Sequence, residues 1–129
     1  MKIDHIGVAV KSIGTAVKAY EALGLKVTST DTVASEAVRV AFLPIGDTRI
    51  ELLEPTSGES NIAKAIEKRG EGIHHIALLV DDIVEAIKRA KEAGLQMINE
   101  EPRTGAHGRK VAFIHPKSTG GVLFEFVQA

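Results

Sequence analysis

Apolar positions along the chain form short blocks of two kinds. Residues 3–10 and 73–80 are nearly continuous apolar runs rich in β-branched side chains, the mark of strands covered on both faces. Each run is followed by a switch to helical spacing. Ile13, Val17 and Tyr20 recur at i, i+4 and i+7 behind an N-cap candidate, Ser12. Ile83, Ala86, Ile87 and Ala90 make the stripe of a second helix, with Asp82 and Glu85 spaced as a capping box. Gly24 and Gly94 stand where a C-terminal glycine ends a helix. Residues 37–43 and 48–53, flanking Pro44-Ile45-Gly46-Asp47, predict a hairpin, and 111–114 and 122–127 flank His115 to Gly121 in the same way. A short helix from about Asn61 to Arg69, after Ser60, separates the two series.

The two series are one pattern written twice. A shift of seventy residues lays Ile3-Asp4-His5-Ile6-Gly7-Val8-Ala9-Val10 on Ile73-His74-His75-Ile76-Ala77-Leu78-Leu79-Val80. Ile13 falls on Ile83, Ala16 on Ala86, Lys18 on Lys88 and Gly24-Leu25 on Gly94-Leu95. With a slightly larger shift, Ile50-Glu51-Leu52-Leu53 falls on Phe124-Glu125-Phe126-Val127. A strand, a helix, a Gly-Leu turn and a final strand in order make the duplication specific. The expectation is one α+β domain over 1–129, built from two repeats (about 1–59 and 71–129) joined by a short helix. Such a unit has an open sheet to bury against its copy, and a concavity between two sheets is a natural ligand site.

Composition narrows the function. Acidic and basic residues nearly balance, 17 against 16, so charge gives no reason to expect nucleic acid or an anionic membrane as a partner. With no Trp and one Tyr, a base-stacking surface is not expected either. No apolar run approaches the roughly 20 residues of a membrane span, and Met-Lys-Ile-Asp-His reads as strand rather than signal peptide. A cytoplasmic protein is expected. The absence of Cys removes thiolate nucleophiles, disulfides and Cys-containing zinc sites, which leaves His and carboxylates as strong ligands. There is no P-loop spacing, G-x-S-x-G elbow, H-E-x-x-H helix or dinucleotide fingerprint.

Of five histidines, the repeat singles out two. His5 and His75 hold equivalent places on equivalent strands, as Glu51 and Glu125 do on later ones. By strand parity His5 shares a face with Gly7 and Ala9, and His75 with Ala77, so small residues line the His face. Glu51 and Glu125 each lie between large apolar residues, an expensive place for a carboxylate unless something positive meets it. A lone strand histidine is ordinarily a satisfied core or edge residue. Matched His and Glu in both repeats instead point to joint work as an N/O ligand set suited to Zn²⁺, Co²⁺, Mn²⁺, Ni²⁺ or Fe²⁺. His74 is matched by Asp4 and points to the other face, while His107 sits in the Gly105-Ala106-His107-Gly108 loop as an exposed residue.

These features resemble the vicinal oxygen chelate (glyoxalase) superfamily, and within it the methylmalonyl-CoA epimerase family. The resemblance is carried by Asp4-His5-Ile6-Gly7-Val8-Ala9-Val10, Ile50-Glu51-Leu52-Leu53-Glu54-Pro55, Arg69-Gly70-Glu71-Gly72-Ile73-His74-His75-Ile76-Ala77 and His115-Pro116-Lys117-Ser118 through Gly121-Val122-Leu123-Phe124-Glu125. It implies paired βαβββ modules forming a cup-shaped mixed sheet, a homodimer, and a divalent metal at His5, Glu51, His75 and Glu125. Co²⁺ is the first choice, with Mn²⁺, Ni²⁺ or Zn²⁺ as alternatives. The implied reaction interconverts (2R)- and (2S)-methylmalonyl-CoA, an acyl-CoA, by α-proton abstraction and reprotonation through an enolate.

That chemistry needs an acid/base group on each face of the enolate. Glu125 is expected to be one of them as well as a ligand, whereas Glu51 only holds the metal. The family's second Glu precedes the third strand; aligned on Val38-Arg39-Val40-Ala41-Phe42 its place is taken by Ser35, with Glu36 one residue later. An offset of one flips a side chain in an extended strand, so either a bulge restores Glu36 to the site or another group serves. Lys117 and Ser118, with Arg103 and the Gly105–Lys110 loop, are candidates for substrate contacts. The alternatives are a glyoxalase I-type lyase acting on a glutathione hemithioacetal, an extradiol dioxygenase in which Glu51 would be surplus, and a metal-free small-molecule-binding protein of the same fold.

Overall fold

A computed structural model describes all of residues 1–129. The elements run β1 (Lys2–Ala9), α1 (Ile13–Ala22), β2 (Ser29–Val33), β3 (Val38–Ile45), β4 (Thr48–Pro55), α2 (Asn61–Arg69), β5 (Gly72–Val80), α3 (Ile83–Glu92), β6 (Arg103–Thr104), β7 (Lys110–Ile114) and β8 (Phe124–Gln128). They fall into two compact units. One is His5–His74; the other joins Met1–Asp4 to His75–Ala129. The His5–His74 unit orders its strands β2-β3-β4-β1, and the other orders them β5-β8-β7-β6. Each is a mixed sheet: β1 runs parallel to β4 and β5 to β8, and the remaining pairs are antiparallel.

Helix ends follow the sequence signals. Ser12 accepts from the Thr15 N–H (3.3 Å) and starts α1; Ser60, fully buried, accepts from Ile62 (3.1 Å) and starts α2. Asp82 accepts from Glu85 at 3.1 Å, the forward half of the expected capping box. Glu85 itself pairs with Arg89 one turn on (3.4 Å) instead of reaching back. Gly24 and Gly94, at φ +97° and +88°, end α1 and α3 in the left-handed region.

A lock not marked in the sequence ties each helix to its sheet. The Ile13 N–H donates to Glu54 Oε1 (2.7 Å) and the Ile83 N–H to Gln128 Oε1 (2.9 Å). Glu54 and Gln128 each stand three residues beyond the late-strand glutamate of their unit. A first-turn amide with no intrahelical partner is thus satisfied by the same position of the last strand in both units.

The apolar faces pack as parity predicts. Val8, Val10, Ile13, Ala41, Leu43 and Leu52 form one core, with Ala16, Val17 and Tyr20 of α1 against it. Val80, Ile83, Ile87, Ala90, Ala112, Ile114 and Phe126 form the other.

Several boundaries differ from expectation. β3 and β4 run on to Ile45 and Thr48, so the turn is Gly46-Asp47 alone, with Gly46 at φ +56° as a tight hairpin requires. The second connection is no simple turn: His115 caps a 3-10 turn over Pro116–Thr119, and β8 starts at Phe124 rather than at 122. The first residues of the early strands are open, Ile3 at 42% and Ile73 at 68% exposure, so coverage on both faces holds only from Asp4 and His75 onward. The repeats also diverge. β2 makes a five-residue pairing with β3, whereas its counterpart β6 pairs with β7 over two residues, preceded by an isolated Met97–Ile114 bridge, and the Asn99 side chain takes the Phe113 N–H (2.9 Å).

Candidate metal centre

Strand register delivers one imidazole to one carboxylate in each unit. In the His5–His74 unit, Glu51 of β4 lies opposite Gly7 of β1 on one side and Phe42 of β3 on the other. His5, two residues before Gly7, shares its face, and its Nδ1 stands 3.2 Å from Glu51 Oε2. In the other unit Glu125 of β8 lies between Ala77 of β5 and Phe113 of β7. His75 Nε2 stands 3.3 Å from Glu125 Oε1, and the Phe113 ring meets His75 edge-on at 5.4 Å. The small residues expected on the His face, Gly7 and Ala77, are the ones opposite the glutamates. All four site residues are buried, at 4–6% exposure.

One feature breaks the symmetry. Arg49, on the same face of β4 as Glu51, donates from Nε to Glu51 Oε2 at 2.9 Å, holds Nη2 in ion-pair contact with the same oxygen at 2.9 Å, and lies over the Phe42 ring at 5.5 Å. The residue two before Glu125 is Leu123, which carries no charge. Arg49 escaped the sequence reading because the repeat has no partner for it. Strand parity with Glu51 would have found it.

Asp4 and Arg109 were also missed. Arg109 grips the buried Asp4 with two bonds of 3.0 Å and reaches the Gln128 carbonyl at 3.4 Å. No pattern links two residues so far apart in the chain.

Glu36 does not sit in an extended strand. Ala34–Glu36 form a 3-10 turn closed by Ala37 in the left-handed region (φ +51°), so strand parity no longer decides which way Glu36 faces relative to Ser35. Glu36 is half-buried and Ser35 exposed. Lys117 and Ser118 share the Pro116–Thr119 turn, with Lys117 exposed. The Ser118 hydroxyl already accepts from the Gln96 N–H at 2.9 Å, so it works in the fold. His107 is exposed at φ +58°, as expected for a loop residue, and Arg103 is exposed on β6.

Residues 4–113 match the family model of the glyoxalase/bleomycin resistance protein/dioxygenase superfamily. The chain belongs to that superfamily. Its fold is the glyoxalase fold, α+β with tandem βαβββ modules, as the resemblance implied. This superfamily member is 54% identical to a hypothetical protein from Bacillus halodurans C-125, whose crystal structure superposes with a TM-score of 0.97 over 99% of this chain and 94% of that one. It is 39% identical to the ethylmalonyl-CoA/methylmalonyl-CoA epimerase of Cereibacter sphaeroides, over 98% of this chain and 97% of the relative. A variant of Streptomyces coelicolor methylmalonyl-CoA epimerase, solved in complex with 2-nitronate-propionyl-CoA, is 36% identical with a TM-score of 0.96, covering 100% of this chain and 94% of that one.

Proposed function

We propose that this chain is a methylmalonyl-CoA epimerase, interconverting the 2R and 2S thioesters through an enolate. The observation that carries it is the buried imidazole–carboxylate pair present in both repeats of a chain that matches named epimerases over its whole length.

The donor set fits a divalent ion. Two imidazole nitrogens and two carboxylates, without thiolate, suit Co²⁺, Mn²⁺, Ni²⁺ or Zn²⁺, and His5, Glu51, His75 and Glu125 are among the buried groups able to serve as ligands. His5, Glu51, His75 and Glu125 would hold one ion, Co²⁺ by preference. Bound there, it supplies Lewis-acid stabilisation of the negative charge that grows on the thioester oxygen.

The remaining steps belong to side chains. The substrate α-carbon lies between a thioester carbonyl and a carboxylate, so its proton is acidic enough for a carboxylate base. Glu125 takes that proton from one face. A second acid/base returns one to the opposite face, and Glu36, half-buried beside the start of β3, is assigned that role. Lys117 contacts the CoA part of the substrate. Ser118, its hydroxyl lone pairs partly engaged by Gln96, is left to donate its hydrogen. Both repeats act as one domain, the active species is a homodimer, and the reaction runs in the cytoplasm with its acyl-CoA.

The test is solvent deuterium incorporation into methylmalonyl-CoA, followed by NMR with metal-replete protein. Exchange at the α-carbon is expected; no exchange rejects the epimerase.

A further inference from the structure

We infer that Arg49 is a positioning residue that fixes Glu51 in the geometry of a metal ligand, an inference that rests on the metal reading above. The observation is that Arg49 Nε donates to Glu51 Oε2 at 2.9 Å while Nη2 stands in ion-pair contact with the same oxygen at 2.9 Å. His5 Nδ1 stands 3.2 Å from that oxygen too. A carboxylate oxygen has about two lone-pair sites, so these contacts occupy Oε2, and Oε1 is the oxygen left to coordinate.

The clamp is itself held. The guanidinium lies on the Phe42 ring at 5.5 Å, and Phe42 is locked opposite Glu51 by the β3–β4 register. A planar, permanently charged fork on an aromatic face loses little freedom when it makes both contacts. Glu51 is only 4% exposed, so a charge there needs a counter-charge, and Arg49 provides one before any ion arrives. The other unit has Leu123 in the equivalent place, so the device belongs to one glutamate alone. Glu51 is thereby a fixed ligand.

Outer partners of metal ligands set affinity by orienting them, with losses of about 10–100-fold when they are removed. Removing a cation would by itself tighten the binding of another cation, so the direction of the change discriminates between orientation and simple charge.

The experiment titrates EDTA-stripped protein with Co²⁺ alone, by calorimetry and visible absorbance, for wild type, Arg49→Met, Arg49→Lys, Glu51→Gln and the Arg49→Met/Glu51→Gln double variant, with circular dichroism confirming the fold. Arg49→Met is expected to bind Co²⁺ about 10-fold or more weakly, and Arg49→Lys, which keeps the charge but loses the fork, less weakly. In the Glu51→Gln background, Arg49→Met should have little further effect. Unchanged or tighter Co²⁺ binding by Arg49→Met overturns the inference. So does a raised KM for methylmalonyl-CoA at saturating Co²⁺ with metal affinity intact, which would make Arg49 a substrate contact. Should Arg49→Met not fold, Arg49→Lys decides: full wild-type affinity in it is the overturning result. If wild type binds no Co²⁺, the metal reading itself fails and takes this inference with it.

Discussion

A carboxylate moved from water into a protein interior costs several kcal/mol unless donors or a cation meet it, and Glu51 and Glu125 are both placed that way. Their imidazole partners were legible at the level of single residues because the repeat states each pair twice. Arg49 was not, since nothing in the second repeat answers to it, nor was the bond that Ser118 accepts from Gln96, 22 residues away. The acid/base assignments make a sharp prediction. On the proposed reading Glu125→Gln removes a metal ligand together with a base, so it should abolish deuterium exchange from both epimers. Glu36→Gln should abolish epimerisation while leaving one epimer able to exchange its α-proton, because a single base still serves one face. Separate exchange assays on the 2R and 2S thioesters decide it, and wild-type epimerisation in Glu36→Gln would remove Glu36 from the mechanism.

Helices and long strands were readable because burial imposes a period on them, 3.6 or 2, that survives in the sequence. Turns impose no period. The 3-10 turn at Ala34–Glu36 therefore surfaced only in three dimensions, and with it the reason that counting residues from β3 could not orient Glu36. That turn puts Ala37 at φ +51°, where a Cβ costs about 1 kcal/mol. Ala37→Gly should accordingly raise the stability measured by urea unfolding, by somewhat under that amount. The strand-to-helix locks give an element-scale test of equivalence between the repeats. Glu54→Ala and Gln128→Ala each strip the partner from a first-turn amide, Ile13 or Ile83, and each should cost about 1 kcal/mol in the same assay. A loss in one variant only would show that the two locks are not alike energetically.

At the scale of the whole molecule, the duplication was legible in the sequence. The repeats are expected at about 1–59 and 71–129; the compact units, set by contacts rather than by similarity, are bounded at Asp4/His5 and His74/His75, inside β1 and β5. Pattern matching finds similar segments; it cannot see which contacts each segment makes. Metal binding is predicted to read out globally. An ion bound only by the folded state adds about 2.7 kcal/mol at a hundred times its Kd, so Co²⁺ should raise the Tm of stripped protein, and a Tm indifferent to Co²⁺ would contradict a site of this kind. The ion pair of Asp4 with Arg109 carries a second global prediction. Arg109→Met leaves a buried carboxylate without its cation and should cost about 3 kcal/mol; a change below about 1 kcal/mol would show that other donors suffice.

That same pair spans 105 residues and ties Met1–Asp4 to a unit otherwise made from His75–Ala129. During translation Asp4 therefore emerges 105 residues before Arg109, the partner that seats it. The residues of the His5–His74 unit are all synthesised within that interval, while Asp4 has to wait for Arg109. At ribosomal rates of about 5–20 residues per second that wait is on the order of 5–20 s. Until then the nascent chain carries β1 only partly anchored, with Asp4, next to His5, still lacking its final partner.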